Sequence, residues 1–291
     1  MPICFNKDDG DVAWRDGRRS IVGTFAALPL VLEDRMPHLN LTGRYYRLFP
    51  PEKFLGSAQE SLSIDLAGTA FLAVDVYGLG FSPEDGEAHA YPTMSLEASL
   101  EAERDIVVNH IRPAMDAARR IGIPVVYVNN SAPRIGINES EMGKLTKRSC
   151  DLEWDAWGSE DNVDPREYVY GDSQAVKFSK IMEPHADDYF VRKHAYSGFF
   201  QTRLDGLLRN LEIKTLICVG FALDMCLHCT MIDAMNLNYQ VVLLRDCAMA
   251  VELPDEVEEL SFTKRMIKWT EYAIGHSATS EDFIWACDGL E

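Results

Sequence analysis

Short, continuous runs of apolar residues alternate with helical patterns over most of this 291-residue chain. A short apolar run that ends at a polar residue is typical of a strand buried on both faces, and such strands belong to parallel sheets. These runs predict six strands, at 69–76, 123–130, 188–193, 215–221, 239–247 and 273–280. The segments around them predict helices at 97–121, 202–211, 224–237, 255–272 and 280–287.

The order of these elements predicts an α/β fold, because each strand–helix–strand unit crosses over in a right-handed sense and returns parallel. We expect a three-layer αβα architecture with a central, mainly parallel six-stranded sheet, in a domain that covers residues 66–291. The polar stretch 131–186 is longer than an ordinary loop and suggests an insertion or lid. Residues 1–65 lack clear periodicity but contain the aromatic cluster GRYYRLF, so we expect an extension packed on the domain or used in subunit contacts.

Composition narrows the choice of partner and location. The formal net charge of −18 repels nucleic acid and anionic membrane, so we expect a small-molecule partner, with no nucleic acid and no membrane. No apolar run is long enough for a transmembrane helix and the N-terminus is unlike a secretory signal, so we expect a cytoplasmic protein. The seven cysteines are odd in number and show no bridging pattern, which favours reduced thiols.

Three reactive side chains are predicted to meet at one edge of the sheet. In parallel sheets, ligands bind outside the carboxyl ends of the strands. Asp75 lies at the end of the first predicted strand, Lys193 ends the third, and Cys226 lies near the start of the helix after the fourth. Each residue alone has an ordinary explanation, as a helix cap, a solvated cation or a buried filler. Their common position at one edge indicates a functional site.

These residue types suit acyl transfer. The positive end of a helix dipole and a nearby Lys193 ammonium predict a thiol pKa for Cys226 below its ordinary value. Asp75 can accept the thiol proton and later donate it to a leaving amine. Unpaired N–H groups at the start of the helix can bind the oxyanion that develops on the attacked carbonyl. The predicted reaction proceeds through a thioester, with water as the second nucleophile.

The motifs around these residues resemble those of the isochorismatase-like cysteine hydrolases, from about Thr69 to about Ile284. The matching segments are FLAVDVYGLGF (71–81), VRKHAYSGFFQTRLDGLLRNL (191–211), TLICVGFALDMCLHCTMIDAMNLNYQVVLLRDCAMA (215–250) and RMIKWTEYAIGHSATSEDFI (265–284). The resemblance implies a six-stranded parallel sheet and an Asp-Lys-Cys triad. It also implies that the protein is a homo-oligomer.

The resemblance assigns roles to individual residues. It implies Cys226 as the nucleophile, Asp75 as the general base and acid, and Lys193 as the group that stabilises the thiolate. It also implies a cis peptide bond between Phe221 and Ala222, which would direct the N–H groups of Ala222 and Cys226 into an oxyanion hole.

The central segment is similar to that of the ureidoacrylate amidohydrolases. This similarity implies hydrolysis of a carbamoyl C–N bond in a small ureide, with release of carbamate and then of ammonia and carbon dioxide. Biuret, N-carbamoyl amino acids and nicotinamide-like amides are alternative substrates. The residues expected to bind substrate are Tyr196, Asn130, Tyr77 and Phe81. Alternatively, Asn130 caps the end of the strand and Tyr196 is a packed aromatic residue, and the sequence favours neither role over substrate binding.

Other functions compete with hydrolysis. Cys226 and Cys229 form a C-x-x-C pattern, which occurs in thiol-redox proteins and in zinc sites. The Leu-His pair between the cysteines and the length of the chain disfavour a redox motif. The seven histidines show no ligand spacing, so we expect no metal and no cofactor. A non-catalytic interaction module is a further alternative, against which the presence of all three reactive residues argues.

Overall fold

The structure is a computed structural model that describes residues 37–76, 99–130, 141, 144, 178, 180–253, 255 and 257–290. The strands in this part of the chain are β1 (His38–Arg47), β2 (Gly56–Asp65), β3 (Thr69–Val74), β4 (Val125–Asn130), β5 (Tyr189–Lys193), β6 (Thr215–Phe221), β7 (Gln240–Met249) and β8 (His276–Ala278). The helices are α1 (Pro51–Phe54), α2 (Leu100–Asp105), α3 (Arg112–Arg120), α4 (Leu204–Asn210), α5 (Cys226–Asn236), α6 (Ser261–Ala273) and α7 (Ser280–Asp288). A π-helical segment (Ile106–Ile111) joins α2 to α3, and a 3-10 helix covers Lys180–Met182. None of the described helices combines the length and the apolar character needed to cross a bilayer.

The strands form one sheet in the order β2-β1-β8-β7-β6-β3-β4-β5. The strands from β3 to β8 pair in parallel, which confirms the predicted α/β class. The chain adds β4 and β5 on one side of β3 and places β6, β7 and β8 on the other. The strand order reverses between β3 and β6, and in open α/β sheets ligands bind at the carboxyl edge beside such a reversal.

Two hydrophobic clusters cover the two faces of the sheet and confirm the three-layer architecture. Successive residues of a strand point to opposite faces, so a continuous apolar strand supplies both clusters. In β3, Phe71 packs on one face and Leu72 on the other. The first face is covered by the π-helical segment, α3 and α7, and the second by α4, α5 and α6.

The sheet has eight strands in the described residues, not the six that the sequence predicted. The two additional strands, β1 and β2, form an antiparallel hairpin whose register runs from His38 opposite Asp65 to Arg47 opposite Gly56. Its β1 strand joins β8. The hairpin buries alternate residues, with polar residues between them, so it lacks the continuous apolar run that identified the other strands.

Most of the predicted insertion at 131–186 lies outside the described residues, as do residues 1–36 of the predicted extension. The 3-10 helix near the end of the insertion packs on the first face of the sheet. Its Met182 is fully buried, and the Met182 carbonyl accepts a hydrogen bond of 3.1 Å from the Tyr127 hydroxyl.

We expect the hairpin to contribute to the stability of the domain. Leu39 is fully buried, so Leu39→Ala should lower the free energy of unfolding by about 2–5 kcal/mol through lost burial and a residual cavity. The control is Leu55→Ala, at a position that is 64% exposed, which should leave stability nearly unchanged. Urea unfolding measures both variants. Equal stability of the two would show that β1 adds little to the folded core.

Candidate active site

Three adjacent strands bring polar side chains together at their carboxyl ends. Asp75 directly follows β3, Asn130 ends β4 and Lys193 ends β5. The register aligns these ends, since Asn130 lies opposite Lys193 and Val74 lies opposite Val128. The structure therefore brings together residues that are more than a hundred positions apart in the chain.

Asp75 is held in one position by its backbone and by both carboxylate oxygens. Its φ of 49° lies in the left-handed region, where Asp is tolerated better than most residues, and it turns the chain at the end of the strand. The Asp75 N–H donates to the Val128 carbonyl at 2.9 Å. Oδ1 accepts from the Asn130 N–H at 2.9 Å, and Oδ2 lies 2.8 Å from Lys193 Nζ.

Lys193 is completely buried and forms an ion pair with Asp75, which is 1% exposed. The Lys193 ammonium also donates to Asn130 Oδ1 and, at 3.3 Å, to the Ala195 carbonyl. Burial acts to lower the pKa of Lys193, but Asp75 and Cys226 outweigh it, so this pKa is raised. The ammonium therefore stays charged, with three kinds of oxygen partner around it.

Cys226 is the first residue of α5 and is 8% exposed. The turn before it contains a cis peptide bond between Phe221 and Ala222. The Ala222 carbonyl accepts hydrogen bonds from Met225 at 3.0 Å and from Leu227 at 3.1 Å, which closes the turn around the thiol residue.

Gly220 explains how β6 comes so close to β3 just before this turn. Its φ is +115°, and a Cβ at this position would lie 2.0 Å from the Val74 carbonyl oxygen. Only glycine fits there, because any side chain would push apart the two strands that carry Asp75 and Cys226.

The charge state expected for the thiol from the sequence is wrong. Burial raises the pKa of the Cys226 thiol, and the Asp75 carboxylate raises it further, against the opposite effect of Lys193. The Asp75 carboxylate, 2.8 Å from the Lys193 ammonium, offsets part of its charge, so Lys193 lowers the thiol pKa less than an unpaired lysine would. The surroundings of Cys226 therefore favour the protonated thiol beside the Lys193–Asp75 ion pair.

The remaining predicted residues divide into two groups. Asn130 contacts Lys193, and Tyr196 is half-buried and packs against the second hydrophobic cluster. Tyr77 and Phe81 lie outside the described residues. Cys229 is a free, half-buried thiol. No group of three or more His, Cys, Asp or Glu side chains among the described residues is arranged to hold a metal ion.

Sequence reasoning missed Thr230, which lies one turn after Cys226 in α5. Its hydroxyl donates to the Cys226 carbonyl at 2.7 Å and accepts from the Gly198 N–H at 2.9 Å. The signal was present in the sequence, because residues four apart share one face of a helix.

The electrostatics predict that removing the Asp75 charge makes the thiol more acidic. In Asp75→Asn, the buried Lys193 ammonium loses its counter-charge, and the Cys226 thiolate can replace it. The midpoint of the iodoacetamide alkylation rate at Cys226 should therefore lie above the ordinary thiol value of about 8.5 in the parent protein and shift to lower pH in the variant. Tandem mass spectrometry in a Cys229→Ser background assigns the alkylated residue.

The control for this shift is Asp288→Asn, which removes a carboxylate that is 54% exposed and should leave the profile unchanged. An upward shift in Asp75→Asn, or none, would contradict the charge arrangement described above.

Comparison with known proteins places the chain in a family. The isochorismatase domain profile matches residues 94–270. The ureidoacrylate amidohydrolase RutB of Variovorax paradoxus (strain S110) is 33% identical over 245 residues, which cover 81% of this chain and 87% of the relative. The same enzyme of Agrobacterium fabrum (strain C58) is 25% identical over 234 residues, or 79% of this chain and 94% of the relative.

Among solved structures, a cysteine hydrolase from Pseudomonas syringae pv. phaseolicola 1448A has the same fold. Its TM-score is 0.60 at 22% identity, with 78% of this chain and 96% of that chain covered. The profile match and the curated relatives show that this chain belongs to the isochorismatase family and is a hydrolase of carbon–nitrogen bonds.

Proposed function

We propose that the protein is a cysteine-dependent amidohydrolase that cleaves a carbamoyl C–N bond of a small ureide. The observation that carries this proposal is the buried Lys193–Asp75 ion pair of 2.8 Å beside a buried thiol at the start of a helix. A nucleophile, a proton acceptor and a cation in one buried site are the groups that acyl transfer requires. The ureide preference rests on the similarity to ureidoacrylate amidohydrolases.

The first half of the reaction forms the thioester. The Cys226 sulfur attacks the carbamoyl carbon while Asp75 takes the thiol proton, so the nucleophile is generated at the moment of attack rather than stored as a thiolate. The negative charge moves to the carbonyl oxygen, where the N–H groups of Ala222 and Cys226 are suited to bind it. Asp75 then gives the proton to the leaving nitrogen, the C–N bond breaks, and the carbamoyl group remains on sulfur.

The second half releases the product. Asp75 takes a proton from water, and the resulting hydroxide attacks the carbamoyl thioester. The C–S bond breaks, the proton returns to the Cys226 sulfur, and carbamic acid leaves, which ionises to carbamate and decomposes into ammonia and carbon dioxide. Lys193 keeps the Asp75 carboxylate oriented and charged before each proton transfer, and Asn130 holds Lys193 in place.

The test is a screen for ammonia release from ureidoacrylate, N-carbamoyl amino acids, biuret and primary amides. We expect ureidoacrylate-like ureides to be the best substrates, and Cys226→Ala to lose at least about a thousandfold in kcat, as removal of a nucleophile does in other hydrolases. Cys218→Ala is the control, because Cys218 is fully buried in β6 and burial raises the pKa of its thiol to about 12.

Two results would contradict the proposal in different ways. Unchanged activity of Cys226→Ala would refute the nucleophile. Loss of activity in this variant, together with a preference for a simple primary amide, would keep the mechanism and replace the substrate class.

A further inference from the structure

The loop that follows β5, residues 194–203, is fastened to α5 by side chains of that helix. Thr230 is fully buried, and its hydroxyl both donates and accepts a hydrogen bond. It accepts from the Gly198 N–H of the loop at 2.9 Å and donates to the Cys226 carbonyl at 2.7 Å. One side chain thus connects the loop to the backbone of the residue that carries the reactive thiol.

A second contact reinforces the first on the same face of α5. The Ser197 hydroxyl donates to Asp233 Oδ2 at 2.5 Å and accepts from the Phe199 N–H at 3.1 Å. Asp233 follows Thr230 by three positions, so both side chains point from one face of the helix towards the loop.

Gly198 is tightly enclosed at this junction. A Cβ there would lie 2.7 Å from Val128 Cγ1 and 3.3 Å from Thr230 Cγ2. The loop backbone therefore lies between β4 and α5 with no spare room. Val128 in turn accepts the Asp75 N–H, so the junction is continuous with the residue that holds the carboxylate.

On the basis of the proposed function, we propose that Thr230 is a positioning residue for the reaction. Its hydroxyl fixes the loop that follows Lys193, and thereby the ammonium of Lys193, relative to the Cys226 thiol. A hydroxyl that bonds only to the carbonyl four residues earlier is a common feature of helices and needs no function. The bond from Gly198 distinguishes Thr230, because it crosses to the loop whose Ala195 carbonyl accepts from Lys193 Nζ.

Movement of this loop is expected to raise the pKa of the Cys226 thiol. If the loop moves, the Ala195 carbonyl withdraws from the Lys193 ammonium, which is then held by Asp75 and Asn130 and lies farther from the thiol. The thiol then loses part of the Lys193 effect that opposes burial and the Asp75 charge. Its ionisation therefore requires higher pH.

The decisive variant is Thr230→Val, which keeps the shape of the side chain and removes the hydroxyl. In a Cys229→Ser background, we expect the midpoint of iodoacetamide alkylation at Cys226 to move to higher pH and the rate at pH 8 to fall at least threefold. With the ureide that the parent protein hydrolyses fastest, kcat should fall about tenfold while KM changes less than threefold.

Two controls separate positioning from general stability. Thr230→Ser retains the hydroxyl and should restore the parent alkylation profile. Thr270→Val removes a hydroxyl that is also fully buried and donates to the carbonyl four residues earlier, at 3.0 Å to Met266, but does so in α6. It should leave the midpoint unchanged even if the melting temperature falls.

A folded Thr230→Val variant whose alkylation profile superimposes on that of the parent would overturn the proposal. If this variant does not fold, Thr230→Ala takes its place, since it also removes the hydroxyl that binds the Gly198 N–H; the same upward shift supports the proposal and an unchanged profile refutes it. Because alkylation needs no substrate, this result is independent of the Cys226→Ala activity test. Failure of the proposed function is therefore recognised separately.

Discussion

The site depends on the buried ion pair between Lys193 and Asp75. Removing two charges from water is expensive, and their mutual attraction compensates for this cost only when the remaining bonding directions are also filled. Here Asn130 contributes both its backbone N–H and its side-chain oxygen, and Ala195 contributes a carbonyl. The ion pair and these partners come from the ends of three neighbouring strands, β3, β4 and β5. The ion pair therefore requires the parallel register of these strands, and it stabilises that register in turn.

The same interaction determines the state of the thiol. An ammonium beside a cysteine ordinarily lowers the thiol pKa, but an ammonium already paired with a carboxylate acts as part of a nearly neutral group. Burial then dominates, and the pKa of the Cys226 thiol is raised. In the proposed mechanism this arrangement makes the proton transfer to Asp75 part of the attack. Burial disfavours a thiolate charge on Cys226, and in this mechanism that charge passes to the substrate carbonyl oxygen as the sulfur attacks.

The sequence predicts well those features that depend on a pattern along the chain. Continuous apolar runs identify the parallel strands, and their carboxyl ends locate Asp75, Lys193 and Asn130 at one edge. The hairpin of β1 and β2 was missed because its buried residues alternate with polar ones and the prediction relied on unbroken runs. The predicted direction of the Cys226 pKa shift is wrong because the prediction includes the charge of Lys193 without the opposing charge of Asp75. Pairing is a property of three-dimensional distances, so residues that are correctly located can still be given the wrong charge state.

Two separations in the site are maintained in different ways. Asp75 and Cys226 follow strands that pair directly, and Gly220 lets β6 approach β3 without a side chain between them, so backbone hydrogen bonds fix this distance. Lys193 lies two strands beyond β3, on β5, and reaches α5 through the loop that bears Gly198. Tyr196 lies on this same loop. The strand pairing therefore fixes the nucleophile relative to the proton acceptor, whereas the position of Lys193 relative to the nucleophile also depends on the contact between Gly198 and Thr230.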